Sequence, residues 1–173
     1  SSDNPDTARA ECRRGNPAAG RSTVMICLDI RNISAVKRLY NRRRLEHLGE
    51  RICREERGNE GVEVSLLFCD DPFIQELNAR FRGKNEPTDV LSFQQEAPLH
   101  TARTLLGDIV ISLETVQRFC GDDRKAMQQE MMLLYCHGLL HLLGYTHAKR
   151  ADRKRMQEKQ AYYLDTGIEN VWR

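Results

Sequence analysis

The chain has 173 residues, of which 40% are hydrophobic and 30% are charged, and this composition excludes a disordered chain. Its 27 basic and 25 acidic residues give a net charge of +2, so an RNA partner would have to meet local basic patches rather than a uniformly basic surface. No apolar run reaches the roughly 18 residues that a membrane span needs. These values favour one globular domain without a membrane partner.

Six cysteines are spread along the chain without a C-x-x-C pair. This spacing favours free or buried thiols in a reducing compartment, the cytoplasm, over a disulfide framework or a zinc–thiolate site. Residues 1–23 lack hydrophobic periodicity and are predicted to form a disordered tail, whereas residues 24–173 are predicted to form a single domain. Four arginines in the tail leave open a transit-peptide remnant and an organelle stroma or matrix, although three acidic residues there count against it.

Hydrophobic periodicity predicts strands that alternate with helices. The predicted strands cover residues 24–30, 62–69, 90–93 and 105–112. The predicted helices cover about 36–57, 72–82, 113–120, 124–143 and 149–165. Asp71 and either Asp122 or Asp123 are predicted helix caps, and a loop is expected at 94–104. Pro87, just before the third strand, favours an edge position for that strand. The pattern predicts an α/β (α+β) fold, a small mixed β-sheet with helices on its faces.

The densest chemical signal is the segment 137–147, which has the pattern H-x-x-x-H-x-x-G-x-x-H. His137 and His141 are four residues apart on a predicted helix, so their rings lie on one face, one turn apart. Gly144 suits the sharp left-handed turn that ends a helix, and this turn can carry His147 back toward the same face. Three imidazoles with an open fourth position are the layout of a catalytic zinc site, with one Zn²⁺ per chain. Ordinary surface or core histidines are the alternative.

The residue after the first histidine is Gly138. Zinc peptidases of the H-E-x-x-H type have a glutamate there, and it acts as the general base on the metal-bound water. The sequence therefore predicts a metal site without the peptidase base, which disfavours a conventional peptidase.

Three segments resemble the signatures of the YbeY family, metal-dependent endoribonucleases of ribosomal RNA maturation. Residues 137–147 resemble the family's histidine motif. Residues 82–93, R-G-K-N-E-P-T-D-V-L-S-F, resemble R-G-x-x-x-P-T-D/N-V-L-S-F, and residues 106–112, L-G-D-I-V-I-S, resemble L-G-D-I-x-I-S. The segments occur in the family's order, and the resemblance spans roughly residues 24–165. It implies a zincin-like metal-dependent hydrolase fold with the metal at one end of a central helix.

The resemblance implies a zinc-dependent, single-strand-directed endoribonuclease that acts in small-subunit ribosomal RNA 3′-end maturation and in ribosome quality control. The implied partners are ribosomal RNA and the small ribosomal subunit, together with ribosomal or nuclease proteins. An alternative is a non-catalytic ribosome-assembly factor that binds RNA and holds a structural metal. The nucleophile is left open between a zinc-activated water and the RNA 2′-hydroxyl.

Arg82 matches the arginine of the family motif and is the candidate catalytic residue, because a forked guanidinium can pair with two phosphate oxygens. A surface salt bridge at a helix end is the alternative for this residue. Asp89 and Asp108 also lie in the motif segments. Each is predicted to orient a histidine, to act as a general base, or to have a purely structural role.

The chain departs from the family pattern at two places. Thr146 stands where many members have aspartate, so an acidic partner for the site is lost there. Gln94 and Gln95 follow Phe93 where Pro-Phe is common, which is expected to change the floor of the substrate groove. Neither departure removes a metal ligand.

Overall fold

The computed structural model describes residues 26–98 and 103–171. The described strands are β1 (Ile26–Asn32), β2 (Gly61–Cys69), β3 (Val90–Pro98) and β4 (Arg103–Ser112). The described α-helices are α1 (Arg42–Arg57), α2 (Asp71–Arg82), α3 (Leu113–Cys120), α4 (Arg124–Leu142) and α5 (Arg150–Tyr163), and a 3₁₀ turn follows at Ile168–Asn170. The predicted tail at 1–23 lies outside the described residues, and the single domain at 24–173 stays a prediction.

The four strands form one mixed sheet in the order β1-β2-β4-β3. β1 pairs in parallel with β2, and β2 pairs in parallel with β4. β3 pairs antiparallel with β4, in a register that places Val90 opposite Ile111. The predicted mixed sheet with helices is therefore confirmed, and β3 occupies an edge of the sheet, as Pro87 indicated.

Helices cover both faces of this sheet. The larger core lies between one face and helices α1, α4 and α5, and it includes Leu66, Ile109 and Leu139, none of which is exposed. The smaller core lies on the opposite face, where Ile74 of α2 packs against Leu91 and neighbouring strand residues. Because α4 is buried around most of its circumference, it is the central helix, and its last turns carry the histidine motif.

The first helix is shorter than predicted, because it begins at Arg42 rather than near residue 36. Arg38 has a φ of 55°, which no α-helix accommodates, and the Asn41 side chain caps the helix by accepting from the backbone N–H of Arg44. The apolar residues ahead of the cap still pack inward, and the Tyr40 ring stacks on Phe68 with centroids 5.0 Å apart. Their helix-like spacing reflects burial of an irregular segment.

The expected loop at 94–104 is wrong at both of its ends. β3 continues to Pro98 and β4 begins at Arg103, and the register shifts between Gln94 and Ala97. The end of this edge strand is polar, so it lacks the apolar alternation that reveals a half-buried strand.

The helix caps agree with the sequence in part. Asp123 caps α4 by accepting from the N–H groups of Lys125 and Ala126. The expected cap at Asp71 is wrong, because the cap position belongs to Asp70 and Asp71 is the first helical residue. The Asp71 carboxylate instead accepts hydrogen bonds from Ser112, Thr115 and Arg118, and these hold α2 against α3.

The described helices include none that is both long and apolar enough to cross a membrane. Cys53, Cys69, Cys120 and Cys136 are free thiols, as expected. Cys27 is disulfide-bonded, so the expectation of unpaired thiols is wrong for this residue.

Candidate active site

The histidine motif begins on the last two turns of α4 and continues through a tight turn. Gly144 has a φ of 97°, the N–H of Gly144 donates to the carbonyl of His141 at 3.0 Å, and the N–H of Tyr145 donates to the carbonyl of Leu140 at 3.0 Å. This pair of bonds is the Schellman arrangement, which a glycine at this position permits. The turn brings His147 back toward His137 and His141, as the spacing predicts.

The three histidine rings converge. Nε2 of His137 lies 3.0 Å from Nε2 of His141, and one nitrogen from each of the three rings falls within 4.8 Å of the others. Two nitrogens bound to one tetrahedral zinc lie about 3.3 Å apart, given Zn–N bonds of about 2.0–2.1 Å, so this donor set fits such an ion. His137 is buried whereas His147 is exposed, so the cluster opens to solvent on the side of the turn.

The outer nitrogens of the two helix histidines are held by carbonyl oxygens. Nδ1 of His137 lies 2.7 Å from Oε1 of Gln160, and Nδ1 of His141 lies 2.9 Å from the backbone oxygen of Tyr145. A carbonyl oxygen only accepts, so Nδ1 carries the hydrogen in each neutral ring. Nε2 of both rings therefore presents a lone pair to the centre of the cluster, as a metal ligand must.

The electrostatics of the cluster favour neutral imidazole. Burial lowers the pKa of His141, the nearby His147 and the Arg82 guanidinium lower it further, and the hydrogen bond to Tyr145 opposes them. Since only neutral imidazole binds a metal ion, these effects reduce the competition from protons.

Arg82 lies at the C-terminal end of α2, beside the edge strand. Its Nη2 donates to the backbone oxygen of Ser92 at 3.0 Å, and its guanidinium carbon lies 5.7 Å from the centroid of Phe93. Among the described residues no carboxylate forms an ion pair with Arg82, so the salt-bridge alternative is not seen. The hydroxyl of Ser92 in turn donates to the oxygen of Gly138 at 3.4 Å, so one residue separates Arg82 from the helix that carries His137 and His141.

The packing around Gly138 explains the missing glutamate. A Cβ at this position would lie 2.9 Å from Cγ2 of Ile109 and 3.1 Å from Oγ of Ser92. The helix therefore lies too close to strands β3 and β4 for a larger side chain, and the peptidase base has no room at this position.

Comparison with known proteins gives the family of this chain. The sequence model of the endoribonuclease YbeY family matches residues 29–167. The chain belongs to the YbeY family. Among the curated members, endoribonuclease YbeY of Pelotomaculum thermopropionicum is 42% identical over 124 residues, which cover 69% of this chain and 82% of that protein. Endoribonuclease YbeY of Heliobacterium modesticaldum is 40% identical over 133 residues, which cover 69% of this chain and 80% of that protein.

A solved structure shares the fold. The solution structure of TM1509 from Thermotoga maritima superposes with a TM-score of 0.53 at 31% identity, and the match covers 83% of this chain and 89% of that one. The fold class expected from the YbeY motifs is therefore confirmed.

The two motif aspartates stabilise strands. Asp108 accepts from Nε2 of Gln95 at 2.9 Å, and burial raises its pKa while a hydrogen bond from Ser65 opposes that rise. Asp89 accepts from the N–H of Val90 at 2.8 Å at the start of β3. Gln160 and the Tyr145 carbonyl contact His137 and His141, whereas these contacts of the two aspartates support the structural role expected for them.

Gln94 and Gln95, which the sequence predicts to differ from the family pattern, each bond to a neighbouring element. Nε2 of Gln94 donates to the backbone oxygen of Leu142 at 3.2 Å, which ties the edge strand to the last turn of α4. Gln95 reaches Asp108 on the neighbouring strand. Gln94 therefore braces the end of β3 against the helix that carries the histidines, and Gln95 braces it against β4.

Gln160 was not identified from the sequence, although its position within an apolar helix face could have pointed to it. Met156, Gln160 and Tyr163 are buried on α5 at the spacing of one helix face. A glutamine within an apolar stripe needs a hydrogen-bond partner, and His137 is that partner.

A second group that the sequence did not reveal surrounds Glu56 of α1. Its carboxylate accepts from the hydroxyl of Tyr145 at 2.8 Å, from Nζ of Lys159 at 2.7 Å and from the hydroxyl of Tyr163 at 2.6 Å. Burial raises the pKa of Glu56, but these three hydrogen bonds outweigh it and lower the pKa overall. Through Tyr145, Glu56 anchors the turn between His141 and His147.

Proposed function

We propose that this chain is a metal-dependent endoribonuclease that cleaves single-stranded RNA. In this proposal His137, His141 and His147 bind the metal and Arg82 binds the phosphate. The convergence of three imidazole nitrogens within 4.8 Å, next to an exposed guanidinium, is the observation that carries the proposal. Membership of the YbeY family supports the reaction type.

His137, His141 and His147 would hold a divalent ion, for which we propose Zn²⁺, and the bound ion would polarise a phosphate oxygen and lower the pKa of a bound water. The residues of the chain supply the rest of the site. Gln160 and the Tyr145 carbonyl fix the two helix histidines with Nε2 toward the ion. Arg82 offers parallel N–H donors to the phosphate oxygens on which negative charge grows during cleavage.

We propose ribosomal RNA as the substrate, in particular the 3′ end of the small-subunit RNA, with a role in ribosome quality control. The family name specifies endoribonuclease activity and no more. We therefore propose, beyond the name, the choice of RNA, the small ribosomal subunit and its proteins as partners, and a cytoplasmic location. The single domain over residues 24–173 belongs to it as well, and the family match over residues 29–167 supports it.

Three proteins test the proposal: the zinc-loaded wild type, Arg82→Ala and His141→Ala. Each is incubated with a 3′ fragment of small-subunit ribosomal RNA, and the zinc content is measured on the same samples. We expect the wild type to cut, Arg82→Ala to retain zinc but lose cleavage by roughly 100-fold or more, and His141→Ala to lose both. A fourth protein, Arg82→Lys, keeps the charge but not the fork and should have only part of the wild-type activity.

Cleavage by a metal-free His141→Ala protein at the wild-type rate would refute metal-dependent catalysis. If no protein cuts while all three bind the RNA equally, the non-catalytic assembly factor with a structural metal becomes the better interpretation. Cleavage of a protein substrate at the metal would instead restore the peptidase that Gly138 disfavours.

A further inference from the structure

Two phenylalanine rings lie next to Arg82, on the side of α2. The Phe81 and Phe93 rings meet edge to face, with centroids 5.2 Å apart and an interplanar angle of 64°. Phe93 is half-buried and packs against the smaller core, whereas Phe81 is 54% exposed. Phe93 therefore supports the Phe81 ring from within while most of that ring faces solvent.

Positive charge surrounds this pair. The guanidinium carbon of Arg80 lies 5.2 Å from the Phe81 centroid, and that of Arg82 lies 5.7 Å from the Phe93 centroid. Arg82 and Lys84, together with the acidic Glu86, also line a surface depression of about 340 Å³. Basic residues at the end of a helix are favourable in any protein, and a single exposed phenylalanine is common. The combination is distinctive, because the planar guanidinium of Arg80 lies over the Phe81 ring, on which a planar ligand would also stack.

The strand between the two features connects them. Ser92 accepts from Arg82 through its backbone oxygen, and its hydroxyl reaches the carbonyl of Gly138, next to His137. Phe93 is the next residue, and because side chains alternate along a strand, it points to the opposite face of the sheet. The edge strand β3 thus has the histidine cluster on one face and the aromatic pair on the other, with Arg82 at the edge between them.

We infer that Phe81, supported by Phe93, is the stacking site for an unpaired base of the RNA next to the phosphate that Arg82 holds. This inference rests on the proposed function, since it assigns the neighbouring phosphate to Arg82. Bases stack on aromatic side chains in proteins that bind single strands, and guanidinium groups follow the backbone beside them. A base inside a duplex is already stacked and cannot occupy such a site, so Phe81 makes the site selective for single strands.

Equilibrium binding of ten-residue 2′-O-methyl oligouridylates to the zinc-loaded full chain tests the inference, and the oligonucleotide is checked for intactness after each titration. The wild type is compared with Phe81→Leu, which keeps an apolar side chain but removes the ring, and with Phe81→Tyr, which keeps the ring. Phe119→Leu is the matched control, because Phe119 is 64% exposed on α3, which packs near the other end of α2.

Stacking on one aromatic side chain strengthens binding by between about 5-fold and about 150-fold, so we expect a loss in that range for Phe81→Leu. Phe81→Tyr and Phe119→Leu should bind like the wild type. A second series replaces one uridine at a time with an abasic residue. At the stacked position the abasic change should weaken oligonucleotide binding by the wild type but not by Phe81→Leu, since both changes remove the same contact.

Equal affinity of Phe81→Leu and the wild type for the oligonucleotide overturns the inference. The inference also fails if Phe81→Leu binds more weakly than the wild type by the same factor wherever the abasic residue is placed. The binding measurement does not depend on cleavage. If the wild type fails to cut RNA yet shows the abasic coupling at Phe81, the proposed nuclease fails while the base site stands. If the wild type cuts and the coupling is absent, the nuclease stands and the base site fails.

Discussion

Oε1 of Gln160 on α5 lies 2.7 Å from Nδ1 of His137 on α4, and both side chains are buried. This contact fixes the ring that lies deepest in the histidine cluster. A neutral amide in this position orients the imidazole without adding a charge to the core. The geometry of the candidate metal site therefore depends on a helix, α5, that contributes no histidine to it.

Replacing Gln160 tests this dependence. We expect Gln160→Leu to weaken zinc binding by about 10- to 100-fold, because partners of metal-bound histidines have effects of that size. Gln160→Glu keeps an acceptor for Nδ1 and should retain most of the affinity. Zinc affinity is measured by competition with a chromogenic chelator. Gln128→Leu on α4 is the control, because Gln128 bonds to the Leu39 carbonyl away from the site. Unchanged zinc affinity in Gln160→Leu would contradict the orienting role.

Tyr145, in the turn between His141 and His147, gives a second test with a closely matched control. Tyr145→Phe removes the hydroxyl that donates to Glu56 of α1. Tyr162→Phe removes a hydroxyl on α5 that donates to Glu55, also on α1, at 3.3 Å. We expect Tyr145→Phe to weaken zinc binding by about 3- to 10-fold, less than loss of a direct histidine partner. Tyr162→Phe should bind zinc normally. Equal zinc affinities for the two variants would show that the Glu56 anchor does not position His141.

The lowered pKa of Glu56 predicts how stability depends on pH. A carboxyl whose pKa is lower in the folded chain than in the unfolded chain stabilises the fold at pH values above the unfolded pKa, which is about 4.5 for glutamate. This stabilisation is lost as the pH falls through the lower pKa of the folded chain. We expect Glu56→Gln to lower the free energy of unfolding by about 1–3 kcal/mol at pH 7, and the difference from the wild type to shrink below pH 4.5.

Urea denaturation of both proteins at several pH values between 3 and 7 measures this difference. Glu55→Gln is the control, because Glu55 interacts with Tyr162 and Arg51 at the surface, where such contacts contribute little. A difference between Glu56→Gln and the wild type that stays constant down to pH 3 would rule out the charged form of Glu56 as its source.

The close packing at Gly138 predicts the result of restoring the peptidase motif. Gly138→Glu creates H-E-x-x-H, but its side chain meets Ile109 and Ser92 at less than normal contact distance. We expect the free energy of unfolding of this variant to fall by about 1–3 kcal/mol or more, and we expect it to gain no peptidase activity. Thermal unfolding and a peptide-cleavage assay measure the two effects. Gln129→Glu, at an exposed position of the same helix, should leave stability within about 0.5 kcal/mol.

The sequence predicted the strands, the central helix and the convergence of His137, His141 and His147. These features are local. Helical spacing places two histidines on one face, and a glycine that can take a positive φ reverses the chain toward them. Local reasoning erred where tertiary packing overrides pattern. The apolar residues before α1 pack against the core without being helical, and the polar end of β3 is a strand because β4 and the end of α4 hold it.

The contacts that orient the histidines were decided by the tertiary structure alone. Gln160 is 23 residues from His137, and Glu56 is 89 residues from Tyr145. Hydrogen bonds over such separations depend on how helices α1, α4 and α5 pack on the sheet, and no periodicity within a single element encodes them. The sequence alone therefore determined which side chains can bind the metal, whereas packing decided which side chains hold them in place and brought Arg82 to the edge strand beside them.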